Sequence, residues 1–203
     1  MPALPLILAS ASPRRAELLR QAGVDFVVLP GHADEIQPEH LSPHEIAQVN
    51  AWRKARLVAK QHPEALVLGA DTIVCLGTTI LGKPADLAEA RAMLARLQGR
   101  IHEVVTGVCL FHLRAHRQKV FAVSTTVTFR ALHAGQIRRY LAKIHPLDKA
   151  GAYAIQEDGD DIVKRIAGSY TNVVGLPVER VLAELRAWAQ AAPRDRRQRP
   201  CAQ

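Results

Sequence analysis

The chain has 203 residues, 48% of them hydrophobic and 23% charged, an ordinary globular composition that supports one substantial folding unit and excludes an intrinsically disordered protein. No run approaches the roughly 20 apolar residues of a membrane helix and the start lacks a basic signal-peptide region, so a cytoplasmic protein with no membrane partner is expected. The formal charge of +8 is inflated by residues 194–203, which hold four arginines and one aspartate, and aromatic residues make up only 4%, so the basic surplus suits a polyanionic small molecule and no specific nucleic acid is expected.

Residues 4–9 (LPLILA) are a short continuous apolar run and read as a buried strand. Ser12 then stands as N-cap of a helix with Pro13 at its first position, Ala16, Leu18, Leu19 and Ala22 on its apolar face and Gly23 as its stop. Asp25 to Leu29 reads as a second strand. Ser42-Pro43-His44-Glu45 joins an N1 proline to a capping box and opens a helix to about Gln61. Ala65 to Leu76 reads as a strongly apolar strand with Asp71 in its middle.

Asp86 with Glu89 forms a second capping box, predicting a helix from Leu87 to Leu97 that ends at Gly99. Residues 101–113 and 118–130 are rich in Val, Thr, Phe and Leu and predict an antiparallel hairpin around the polar stretch Arg114 to Gln118. A short helix over 134–144 ends before Pro146, and a last helix runs from Pro177 to about Ala191. Residues 1–193 read as a single domain and 194–203 as a disordered basic tail. Alternating strands and helices followed by a hairpin place the fold in the α/β class with a mixed sheet.

Cys75, Cys109 and Cys201 are too far apart for a C-x-x-C pair, which argues against a disulfide framework or a thiolate zinc site. The pairs His40/His44 and His112/His116 have ligand-like spacing but straddle a helix start and a hairpin turn, without H-E-x-x-H. Any metal is therefore expected to be hard and oxygen-ligated.

Ser10-Ala11-Ser12-Pro13-Arg14-Arg15 sits where a buried strand hands over to a helix. First-turn N–H groups, two hydroxyls and two guanidiniums there could hold a polyphosphate, although a capped helix with two solvated arginines fits the same residues. Asp71 is harder to explain structurally, because a carboxylate among Leu66, Val67, Leu68, Ile73 and Val74 is costly unless paired or placed at a cleft. Relieving such a charge could raise stability. The alternative ends the strand at Gly69 and lets Asp71 cap a turn. Lys83 lies in a loop held by Gly82 and Pro84, while Glu35 and Lys54 carry no signal alone; Asp158 to Asp161 lacks calcium-loop spacing and reads as a turn.

LASASPRRAELL at 8–19, GADTIV at 69–74, LGKPAD at 81–86, HEVVTGV at 102–108, and DKAGAYAIQ with GSYTNVVGLP between 148 and 177 occur in an order and spacing that resemble the Maf-like nucleotide pyrophosphatases. The resemblance implies an inosine triphosphatase-like α/β fold, with an elongated mixed sheet and flanking helices in two lobes around a cleft, in a homodimer. It implies hydrolysis of a nucleoside triphosphate to monophosphate and pyrophosphate, assisted by magnesium or manganese held by Asp71 with Glu35. Asp71 matches the catalytic acid–base position; Ser10, Ser12, Arg14 and Arg15 match the phosphate-binding loop, and Glu35, Lys54 and Lys83 match polar cleft residues. Arg14, Thr72 and Gln156 fall at specificity positions, and Ala-Tyr-Ala-Ile-Gln looks like the branch acting on dTTP and UTP. The alternatives are the branch acting on 7-methyl-GTP or other modified nucleotides, and a non-catalytic nucleic-acid-binding regulator of septum formation. Glu157-Asp158 departs from the glycine that usually follows the glutamine, placing an acidic pair beside the implied base pocket.

Overall fold

The computed structural model describes residues 4–190, so the tail at 194–203 lies outside the described residues. The chain runs through β1 (Leu6–Leu8), α1 (Pro13–Gln21), β2 (Val27–Val28), α2 (Pro43–Gln61), β3 (Leu66–Leu76) and β4 (Thr79–Leu81). It continues with α3 (Leu87–Leu97), β5 (Ile101–His112), β6 (Arg117–Phe129), α4 (Ala134–Leu141) and 3₁₀ turns at Pro146–Asp148 and Ala150–Ala152. α5 (Gly159–Ile162), β7 (Val163–Ala167), α6 (Tyr170–Val174) and α7 (Val178–Gln190) follow.

The strands form one mixed sheet in the order β2-β1-β3-β5-β6-β7, with β4 on β3. β1 pairs in parallel with β2 and β3, whereas β4, β5, β6 and β7 join antiparallel. The register on β3 creates the functional geography. On one edge, β5 pairs with β3 from Val67 to Cys75. On the other, β1 pairs with Leu66–Leu68 and β4 with Val74–Leu76, so neither strand pairs with the middle of β3. Asp71 lies in that gap, in the continuous strand and opposite Gly107 of β5. This overturns the alternative in which the strand ends at Gly69.

The two ends of β3 belong to different apolar cores. Leu66, Leu68 and Ala70 pack with α1 and α7, whereas Val74 packs with α3, α4 and the start of β5. The expected two-lobed α/β arrangement follows from one strand shared by both cores.

α2 lies directly on the sheet because its contact face is Ala47, Ala51 and Ala55. The sheet opposes that face with Gly69 and Gly107: a Cβ on Gly69 would strike the Ala51 carbonyl, and one on Gly107 the backbone of Ala47 and Gln48. Such close approach carries Asn50 and Lys54, one turn apart on α2, to Asp71. Gly107→Ala is therefore expected to push α2 outward and cost about 1–3 kcal/mol, a thermal midpoint loss of several degrees by calorimetry. An unchanged midpoint would contradict this packing account.

Several local expectations need correction. Ser12 occupies the N-cap position of α1, but its side chain makes no capping bond. Asp86 accepts the Glu89 N–H at 2.8 Å, whereas the Glu89 carboxylate accepts the Ala85 N–H at 2.7 Å, so the reciprocal half of the capping box is displaced by one residue. Asp158 to Asp161, read as a turn, is instead the start of a short helix: Gly159, Asp160 and Asp161 lie in α5, and Asp158 is its N-cap in the left-handed region at φ 52°. The histidine pairs, by contrast, lie as expected: His40 precedes α2 and His116 sits in the hairpin turn, so neither pair shares a helix.

Candidate active site

Asp71 is 5% exposed, and its burial is compensated. Lys54 Nζ donates to Asp71 Oδ1 at 2.6 Å and to Glu35 Oε1 at 2.7 Å, placing one buried ammonium between two carboxylates. Asn50 Nδ2 donates to Asp71 Oδ2 at 3.2 Å and to the Ile36 carbonyl at 3.1 Å, while Asn50 Oδ1 accepts the Ile36 N–H at 2.9 Å. Asn50 thus ties the segment carrying Glu35 to the strand carrying Asp71. Burial would raise the Glu35 carboxyl, but the Lys54 hydrogen bond and charge, with the nearby charge of Lys83, hold it below its ordinary value.

Arg15 is fully committed at the start of α1. Its Nε donates to the Gly175 carbonyl at 2.8 Å, Nη1 to Ser10 Oγ at 2.9 Å and Nη2 to Thr72 Oγ1 at 2.9 Å. Burial lowers its pKa, an effect opposed by Asp71, yet a guanidinium remains charged. Arg15 therefore joins β1, β3 and the segment after α6 around the phosphate-loop residues. Thr72 Oγ1 also lies 3.0 Å from Thr106 Oγ1, which donates to the Asn172 carbonyl at 3.1 Å.

Arg14 is partly exposed, and its Nη1 donates to Asp148 Oδ2 at 3.0 Å. The other Asp148 oxygen accepts from Lys149 at 2.8 Å, and Lys149 also donates to the His145 carbonyl at 2.7 Å. Burial opposes ionisation of Asp148, but the Lys149 and Arg14 hydrogen bonds and charges keep its carboxyl below the ordinary range. The departure at Glu157-Asp158 is absorbed by neighbouring lysines: Glu157 lies 3.5 Å from Lys149, and Asp158 accepts from Lys143 at 3.0 Å.

These groups surround one cleft of about 510 Å³, lined by Ser10, Ser12, Arg14, Arg15, Glu35, Lys54, Asp71, Thr72, Lys83 and Gln156 together. Every candidate side chain from the sequence is present. Gln156 is exposed in the cleft lining beside Tyr153 and Ala154, whereas Glu157 is outside that lining. Five cationic side chains face three carboxylates in the lining, a balance that favours a polyanion. The sequence reading missed Asn50, Thr106, Asp148 and Lys149. Asn50 had a usable signal in its four-residue spacing from Lys54 on α2; Asp148 and Lys149 opened a recognised motif without an assigned role.

Among the described residues no group of three or more His, Cys, Asp or Glu side chains is arranged to hold a metal. Asp71 and Glu35 nevertheless bring two hard carboxylates onto one ammonium. That donor set fits a magnesium-type ion, which commonly uses one or two carboxylates and completes its shell with substrate phosphates and water.

A family model described as Maf-like protein matches residues 5–188. The dTTP/UTP pyrophosphatase of Syntrophus aciditrophicus is 46% identical over 181 residues, covering 89% of this chain and 88% of that protein. The dTTP/UTP pyrophosphatase of Symbiobacterium thermophilum is 49% identical over 180 residues, covering 89% and 92% respectively. Among solved structures, the Staphylococcus aureus Ham1 protein aligns with 91% of this chain and 99% of its own, at 16% identity and a TM-score of 0.49.

Proposed function

The chain belongs to the Maf-like protein family, and from that membership we propose that it hydrolyses dTTP and UTP to the nucleoside monophosphate and pyrophosphate. The observation carrying the chemistry is Asp71 at the unpaired edge of β3, held by Lys54 and Asn50 in a cleft with a cationic surplus.

Asp71 accepts a proton from the water attacking the α-phosphate. Its two oxygens are fixed by Lys54 and Asn50, but each carboxylate oxygen has further acceptor capacity for that water. Lys54 pairs with the carboxylate at 2.6 Å and fixes its orientation. Ser12, Arg14 and Lys83 bind the triphosphate, with Arg14 exchanging its Asp148 contact for phosphate oxygens, and their charges stabilise the departing pyrophosphate. Ser10 and Arg15 set the shape of this phosphate loop through their mutual hydrogen bond. Asp71 and Glu35 are the residues that would hold magnesium or manganese, an ion that supplies charge neutralisation at phosphate oxygens when bound.

Gln156 reads the base, with Thr72 shaping the same cleft. Its amide offers both a donor and an acceptor, matching the alternating O4, N3–H and O2 edge of uracil or thymine. Loss of one such match costs about 1–3 kcal/mol, enough for roughly tenfold discrimination. The chain acts in the cytoplasm as a homodimer, as its family resemblance implies. Cys75 and Cys109 are buried free thiols whose pKa values burial raises to about 11 and about 12, consistent with unreactive thiols in a reducing compartment.

Pyrophosphate release across a nucleotide panel, with magnesium, manganese or neither, tests this reading. The expected ranking in kcat/KM is dTTP and UTP above CTP and purine triphosphates, with metal required. Gln156→Ala should reduce the UTP:CTP ratio by about tenfold while lowering the best kcat less. A wild-type preference for a guanosine substrate, or the same ranking in the alanine variant, would refute the assignment of Gln156.

A further inference from the structure

We propose that Tyr140, which lies outside the cleft, is a specificity-determining positioning residue that acts through the backbone of Ala154 to aim Gln156. The inference rests on the base-reading assignment of Gln156. Tyr140 is 1% exposed in the core between α3 and α4. Its hydroxyl donates to the Ala154 carbonyl at 3.0 Å and accepts the Ala154 N–H at 3.0 Å, so a single buried oxygen satisfies both polar backbone groups of one residue.

Ala154 is the first residue of the turn that presents Gln156. Its carbonyl also accepts the Glu157 N–H at 3.4 Å, making Gln156 the third residue of that turn. The preceding segment is constrained as well. Gly151, at φ 70°, donates to the Gly82 carbonyl, and Ala152 adopts φ 62°. The Tyr153 hydroxyl lies 2.9 Å from His102 Nε2, and its ring packs edge-on against Phe129. These contacts position the segment before Ala154; the Tyr140 hydroxyl carries the constraint into the turn.

A glutamine discriminates bases only if its donor and acceptor are held in direction, because a side chain free to move can offer the flipped amide to cytosine. Tyr140→Phe removes one oxygen and preserves the ring that fills the core. It leaves the Ala154 N–H without that partner and the carbonyl with only the long turn bond, so the turn loses its fixed pose. Substrate binding then becomes less selective, while the elements carrying Asp71 and Lys54 remain elsewhere in the sheet and α2.

The decisive measurement is kcat and KM for UTP and CTP in wild type, Gln156→Ala, Tyr140→Phe and the double variant. Tyr140→Phe should reduce the UTP:CTP ratio of kcat/KM by about fivefold or more, chiefly through a higher KM for UTP. The double variant should match Gln156→Ala, because both changes remove the same discrimination. If wild type does not favour UTP, or Gln156→Ala leaves the ratio intact, the base-reading assignment itself fails. If Gln156→Ala flattens the ratio but Tyr140→Phe only lowers thermal stability, the role of Tyr140 alone is overturned. Should the phenylalanine variant fail to fold, hydrogen exchange at the Ala154 amide in nucleotide-free wild type decides: protection comparable to the β3 and β5 core supports the preorganised turn, and loop-like exchange overturns it.

Discussion

Asp71→Asn should lower kcat on UTP by about a hundredfold or more while the protein remains folded, because a positioned general base contributes roughly 10²–10⁴-fold. The amide has nearly the shape of the carboxylate but cannot accept the water proton at neutral pH, and it loses the charge paired with Lys54. Sequence reasoning allowed stability to rise through relief of a buried charge. The structure reverses that sign. Asp71 is hydrogen-bonded by both Lys54 and Asn50, so neutralising it leaves a buried ammonium with the half-exposed Glu35 as its remaining partner. The expected outcome is a lower thermal midpoint together with the loss of turnover. Activity near wild type would remove Asp71 from the mechanism; a higher midpoint would contradict the ion-pair account.

Lys54→Met should give the largest stability loss among single changes at the cleft. It removes the shared cation and leaves the buried Asp71 beside Glu35 with the neutral Asn50 amide as its remaining donor. Breaking the buried Lys54–Asp71 pair costs about 3–5 kcal/mol, with little added by Glu35 because its carboxylate is solvent-screened. For a chain of this size the thermal midpoint should fall by roughly 10 °C. Turnover should also collapse, because Lys54 fixes the orientation of the proposed base.

The pH dependence of that deficit has a definite sign. Lys54 depresses the Glu35 carboxyl below its ordinary value of 4.5. The stabilisation associated with Glu35 is therefore present above that value and disappears as pH falls through the lower folded value. The Glu35 share of the Lys54→Met deficit, small because that carboxylate is solvent-screened, should be fullest at neutral pH and fade below about pH 4.5, where protonation also relieves carboxylate repulsion. Denaturant melts across this range provide the check. A deficit that widened on acidification would show that Lys54 is not acting as the shared counter-charge.

The parts legible in sequence were those controlled by local chemistry. Ser42 and Glu45 form the full capping box at α2, and the apolar run containing Asp71 becomes β3 within one residue of the expected start. The missed elements have weaker local signals. β4 has three residues, α6 has five, and β7 has five with adjacent Lys164 and Arg165 both exposed, which breaks the alternation that marks a strand. Their placement depends on tertiary pairing.

The same distinction holds at the site. A carboxylate inside an apolar strand announced Asp71, but its open strand edge results from β1 and β4 pairing with opposite ends of β3, a non-local register. Asn50 is an ordinary helix residue until α2 meets Gly69 and Gly107. Glu157 looked hazardous beside Gln156 because sequence order could not reveal that its carboxylate would lie 3.5 Å from the Lys149 ammonium, with Glu157 itself outside the cleft lining.

Product analysis of UTP hydrolysis in ¹⁸O-water tests the central claim most directly, because it reports both the bond broken and the phosphorus attacked. Phosphorus NMR and mass spectrometry of the wild-type reaction with magnesium should find UMP and pyrophosphate in equal amounts, with one solvent oxygen in UMP and none in pyrophosphate, and Asp71→Asn should nearly abolish both products. UDP and orthophosphate as primary products, or solvent oxygen in pyrophosphate, would contradict attack of an Asp71-activated water at the α-phosphate.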